Sequence, residues 1–281
     1  MCTVVVSLAR ETPVPLLLLG VRDEFTGRPW QPPARHWPGS PLIGGRDEEA
    51  GGTWLAVHPD VPRVGCILNG RGQFADPARR RSRGDLPLRA AAEGPGALAK
   101  LHQDPDTLTR YDPFYLVCAD LTTVVLLSWN GQDTGLTELE PGTHVLTNAG
   151  HTYPPGRTGP GPGTKGPGTK GPGTAGDQQP DEKAARFGPK FAETRPSGDP
   201  RSTVEDAWAG WLPLAAGDGL ATDETGAIIV RRELPDGRVY GSTSETLVAL
   251  AADGSIRYDF QPTPSDPATW YAVDPSAATT S

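Results

Sequence analysis

The sequence is poor in the features that mark several common protein classes. Its three cysteines, Cys2, Cys66 and Cys118, are an odd number at wide spacing in 281 residues, which gives neither a disulfide framework nor a CxxC metal site. His36, His58, His102, His144 and His151 show no metal-ligand spacing. No apolar run approaches the ~20 residues of a membrane-spanning helix. The N-terminus also lacks the basic segment, apolar core and cleavage site that mark export. Positive charge is short as well: 26 Lys and Arg against 34 Asp and Glu leave a net charge of -8. That excludes an extended cationic face for nucleic acid or an anionic membrane. The local exception is "ARRRSRG", with Arg79 to Arg83, which reads as a solvated loop or, alternatively, an anion patch. These absences predict a reduced, cytoplasmic protein with no metal, no nucleic-acid partner and no transmembrane segment.

What is present is a series of short apolar runs, each closed by Gly, Pro or Asp. Their Val, Ile, Leu, Thr and aromatic content predicts buried strands at 3–8, 15–20, 53–58, 63–69, 114–120, 123–129, 144–147, 227–233, 246–251 and 256–260. Asp-Gly in "LPDGRV" and "LAADGSI" marks hairpin turns. Helices are fewer. One is expected over 86–101, broken or bent at "GPG" (Gly94 to Gly96), and one over 203–212, N-capped by Ser202 with Glu205 completing a capping box and ending near Pro213. Between the two halves lies "GRTGPGPGTKGPGTKGPGTAGDQQPDEK", with GPGTK in tandem. It cannot bury a core and lacks the glycine period of collagen. The expectation is one domain over 1–281, interrupted by a disordered insertion at 156–200.

Cys2 carries the functional argument. Removal of the initiator Met would leave it with a thiol and a free α-amine on one residue. An α-amine with a pKa of ~7.7–8.0 is a workable general base at neutral pH, so the thiol can be activated without a histidine. A strand beginning at Cys2, paired antiparallel with the leucine run through the turn "ARETP", brings Arg22 and Asp23 beside it. There a guanidinium lowers a thiol pKa and a carboxylate holds an ammonium. Cys66 and Cys118, inside apolar runs, read as buried, inert thiols.

"MCTVVV", "GVRDEFTGRP", "GRDEEAGGTWLAV" and "VLTN" together resemble the NRDE family, also called the Transport and Golgi organisation protein 2 family. The motif's Asn is Val21 here, and Thr243 in "YGSTSETL" stands where an Arg is common. The resemblance implies an α+β fold, the four-layer αββα sandwich of antiparallel sheets found in N-terminal nucleophile hydrolases. It also implies a cysteine nucleophile at Cys2, with Arg22 as the arginine and Asp23, or else Glu24, as the carboxylate. Asn69 and Asn148 are implied as the amides that hold the oxyanion. The function so implied is hydrolysis of a linear amide or acyl compound without a cofactor. The rival reading is a non-catalytic protein that binds or moves haem or lipid on the same scaffold.

Overall fold

The computed structural model describes residues 3–154, 181–264 and 266–274. In chain order the first strands are β1 (Thr3–Leu8), β2 (Leu16–Phe25), β3 (Trp30–Ala34), β4 (Ile43–Asp47), β5 (Leu55–His58) and β6 (Arg63–Asn69). Helices α1 (Leu86–Glu93), α2 (Pro95–His102) and α3 (Pro105–Leu108) follow. Next come β7 (Phe114–Asp120), β8 (Val124–Trp129), β9 (Thr134–Leu139), β10 (Gly142–Thr147) and β11 (Gly150–Tyr153). The remainder is α4 (Glu182–Glu193), α5 (Val204–Trp208), α6 (Leu212–Ala215), β12 (Arg231–Glu233), β13 (Val239–Leu250), β14 (Ile256–Gln261) and β15 (Tyr271–Ala272).

The leucine run of β2 shows why the chain builds four layers. Successive strand residues point to opposite faces. Leu16 and Leu18 join Val4, Val6, Leu55, Val64, Cys66 and Val117 in one core, while Leu17, Leu19 and Val21 join Phe187, Phe191, Trp208 and Trp211 in another. Both faces are therefore dry, and the strand reads as a continuous apolar run rather than an alternation. Among the described residues the strands form two antiparallel sheets, ordered β11-β10-β1-β2-β13-β14-β15 (with β12 on β13) and β3-β4-β5-β6-β7-β8-β9. The sheets face each other across the first core, and α4, α5 and α6 cover the first sheet. Helices α1, α2 and α3 cover the second through Leu86, Ala90, Leu98, Leu101 and Leu108, against Leu116, Cys118 and Leu127. The order is α, β, β, α, as expected for the fold class. Close packing of α1 depends on Gly65, where a Cβ would lie 2.4 Å from the Pro87 carbonyl oxygen.

Several sequence expectations change here. Residues 181–200 are not part of an unstructured insertion: Asp181 caps α4 by accepting from the Ala184 N–H, and the helix buries Phe187 and Phe191. Its apolar face outweighs the low-complexity composition just upstream. The tandem GPGTK stretch falls in 155–180, outside the described residues. The expected helix over 203–212 is two short ones, because Gly210 packs against the Thr194 carbonyl and Pro213 starts α6 instead of ending α5. Its N-cap is Thr203, whose hydroxyl accepts from the Asp206 N–H, not Ser202. Of the expected strand at 227–233, only Arg231–Glu233 pairs, while Ile228 and Ile229 fill the outer core as irregular chain.

Candidate active site

Three neighbouring strands of the first sheet, β10, β1 and β2, meet around Thr3. Thr3 pairs with Val21 of β2 on one side and with Thr147 of β10 on the other. The residues that follow in those neighbours are Arg22 and Asp23, and Asn148. Cys2, which precedes Thr3 in the sequence, lies outside the described residues.

Strand alternation sends Arg22 and Asp23 to opposite faces. Arg22, 3% exposed, points between the sheets. Its guanidinium carbon lies 4.5 Å from the centroid of the Trp54 ring, and Nη2 is 3.6 Å from Asp47 Oδ2 and 3.9 Å from Glu24 Oε2. Its Nη1 donates to Thr243 Oγ1 at 2.8 Å. Thr243 reaches it because β13 bulges between Ser242 and Ser244, one residue of the strand standing out of the ladder. Asp23, 5% exposed, points toward α4. It accepts from the Ser242 hydroxyl at 2.6 Å and lies 3.9 Å from Lys183 Nζ. Lys183 also donates to Thr3 Oγ1 at 3.0 Å.

Asp47, the last residue of β4, is the hub of the cleft. Arg28 grips it with two bonds, Nε to Oδ2 at 2.6 Å and Nη2 to Oδ1 at 3.0 Å. Burial acts to raise the Asp47 carboxyl, but the Arg28 and Ala50 hydrogen bonds and the charges of Arg28 and Arg22 outweigh it. The net direction is down, and Asp47 is an anion at neutral pH. Arg22, Glu24, Asp47 and Asn69 line one cleft of about 420 Å³. Asp23 faces away from it, and Asn148 sits at the β10–β11 turn, outside the cleft lining. Glu24 shares the cleft with Arg22, whereas Asp23 shares the far face with Thr3. Burial pushes the Cys66 and Cys118 thiols up to about 12, and both are enclosed in core.

Sequence reasoning did not single out Lys183, Ser242 or Arg28, and gave Asp47 no role. Arg28 and Asp47 lie 19 residues apart, and Lys183 follows the low-complexity stretch, so no local spacing joins them. The capping pattern "DEKA" was the available signal for Lys183. Among the described residues, no group of three or more His, Cys, Asp or Glu side chains could hold a metal ion, and no helix is long and apolar enough to cross a membrane.

Glu245 is the other unusual carboxylate. It is 1% exposed, and neither oxygen has a hydrogen-bond partner among the described residues. It stands directly across β2 from Val21, the position where the NRDE motif carries Asn. Burial, reinforced by the Asp23 charge, raises its pKa well above the usual 4.5. Between the unfolded and the raised folded value, the native protein keeps a proton that the unfolded chain has lost. The contribution of Glu245 to stability is therefore fully present below the ordinary carboxylate pKa and is lost as pH rises toward the raised folded value. Glu245→Gln should match the wild type in melting temperature near pH 4 and exceed it by on the order of a few degrees at pH 8. Parallel thermal melts across that range check it; a constant offset would refute it.

The family model described as Transport and Golgi organisation 2 matches residues 1–158. No curated protein matches the sequence significantly. Among solved structures, the Caenorhabditis elegans ortholog of N-acylethanolamine-hydrolyzing acid amidase aligns over 97% of this chain and 100% of its own, at 10% identity and a TM-score of 0.41. The family match spans β1 to β11, including Arg22, Asp23, Glu24, Asn69 and Asn148: the chain belongs to the Transport and Golgi organisation 2 family.

Proposed function

We propose that the protein is an N-terminal cysteine amidohydrolase acting on a linear amide or other acyl compound. The observation that carries this reading is the pairing of Thr3, the residue after Cys2, with both Val21 and Thr147, so that Arg22, Asp23 and Asn148 follow directly on its two partners. After loss of Met1, the Cys2 α-amine takes the thiol proton and sulfur attacks the carbonyl carbon. Asn69 and Asn148 donate to the oxyanion; neutral, fixed amides suit a charge that appears only in the transition state. The C–N bond breaks as the ammonium returns its proton to the leaving amine. Water, deprotonated by the same amine, then cleaves the thioester and regenerates the thiol. Arg22 favours the thiolate, and Asp23, on the Thr3 face, holds the ammonium. Haem is a poorer fit: Arg22, Arg28, Glu24 and Asp47 make the cleft predominantly charged, and Trp54 and Ile67 alone do not supply the broad apolar faces that a flat macrocycle needs.

The test combines mass and kinetics. Intact mass should show loss of Met1, and brief alkylation at neutral pH should label Cys2 ahead of Cys66 and Cys118. Cys2→Ser should then lose nearly all turnover across a panel of acyl amides. Retained Met1, equal labelling of the three thiols, or undiminished turnover in Cys2→Ser would each sink the reading.

A further inference from the structure

The run Arg79 to Arg83 reads in the sequence as a solvated loop or an anion patch. The structure puts Arg80, Arg81 and Arg83 on the wall of the same cleft as Arg22 and Asp47, and it fixes them there. Arg81 N–H donates to the Arg110 carbonyl at 2.7 Å, and the Gly84 carbonyl accepts from Thr53 N–H at 2.9 Å. The Gly52 and Gly84 backbones meet so closely that a Cβ on Gly52 would lie 2.5 Å from the Gly84 carbonyl carbon. The "GG" before Thr53 thus clamps the arginine loop to the β4–β5 connection. A segment held at this many points is a wall, not a free loop.

The arginines of this wall are not equivalent. Arg22 and Arg28 face Asp47 and Glu24; Arg80 faces Asp112 at 3.5 Å and Arg81 faces Asp85 at 3.4 Å. Arg83 alone among these five has no carboxylate within 4 Å among the described residues. Its one hydrogen bond there runs from Nη1 to the Pro113 carbonyl at 2.6 Å. It is half-buried, and burial lowers its pKa in spite of the more distant Asp112 charge. A cation partly withdrawn from water with no carboxylate in contact is unfavourable until an anion joins it. The guanidinium edge left over suits a two-oxygen anion, which it can meet with parallel N–H bonds.

We propose that Arg83, flanked by Arg80 and Arg81, is an anion seat in the cleft, so that the substrate carries a carboxylate or phosphate apart from its scissile amide. This rests on the amidohydrolase reading for the word substrate, but the seat is testable without turnover. In full-length Cys2→Ser, adipic acid monoamide should bind roughly tenfold more tightly than hexanamide at low salt, the two differing only by the terminal charge. Arg83→Gln should erase that ratio and leave hexanamide binding unchanged. Arg83→Lys, which keeps the charge and loses the fork, should fall between, and thermal melts confirm that each variant is folded. Inorganic phosphate displacing the monoamide at lower concentration than acetate would assign the seat to phosphate; the reverse would assign it to carboxylate. Equal binding of the two amides, or a ratio that survives Arg83→Gln in a folded variant, overturns the proposal. An Arg83-dependent ratio alongside a wild type with no turnover would sink the hydrolase reading and keep the seat.

Discussion

Arg22→Met should lower turnover of an acyl amide by about 10–10³, since an opposite charge close by shifts a pKa by about 1–3 units and the thiolate population falls with it. Methionine keeps the length of the side chain and its packing on Trp54 while removing the charge. The Asp47 anion stays gripped by Arg28 through two bonds, so the cleft keeps its shape. The loss should therefore appear in kcat more than in KM. A second readout separates tuning of the thiol from general damage: the pH profile of Cys2 alkylation should move to higher pH in the variant, since a nearby cation favours the thiolate. An unmoved profile would mean that Arg22 serves the architecture of the cleft and not the nucleophile.

Phe191→Ala should cost about 3–5 kcal/mol in unfolding free energy, the usual range for truncating a fully buried aromatic. Phe191 meets Trp211 edge-on at 5.3 Å between ring centroids, and its carbonyl accepts from the Trp211 indole N–H at 3.3 Å. The variant thus opens a cavity beneath α4 rather than trimming a surface. Urea melts would show a lower midpoint at unchanged slope. An unchanged midpoint would show that α4 does not pack and would restore the view of 156–200 as unstructured. Because Lys183 lies in the first turn of α4 and bonds Thr3, loosening this helix should also reduce turnover.

The parts of this fold that were legible in the sequence are those where one local property decides. The runs at β1, β6, β7 and β8 are apolar on both faces because two cores need them, and their bounds were read within a residue. Besides the short edge strands β11 and β15, the sequence does not announce three strands: β3, "WQPPA", β4, "IGGRD", and β9, "TGLTEL". Two of these, β3 and β9, are sheet edges, where prolines and polar residues are tolerated because one side has no ladder to feed. The third is glycine-rich because its neighbours press on it: a Cβ at Gly44 would lie 2.3 Å from the Leu55 carbonyl oxygen. Strand β13 was read as starting at Thr246, since "YGSTSE" carries no apolar signal. Those polar residues are buried against the site, with Ser242 on Asp23 and Thr243 on Arg22. Pairings that cross the whole chain, such as Thr243 with Arg22 over 221 residues, leave no periodicity to read.

Strand β2 lies in the interior of its sheet, with β1 along one side and β13 along the other, paired from Phe25 with Tyr240 to Leu16 with Leu250. The family pattern ends at residue 158, well before β13 begins. The recognisable half of the chain is therefore not a module. Cut away from the rest, it would expose a long leucine-lined strand edge, the kind of surface that recruits other chains into aggregates. Whatever sequence follows residue 158, it must deliver one strand to cover β2. The half of the protein outside the family match is the half that closes the open edge of the matched half.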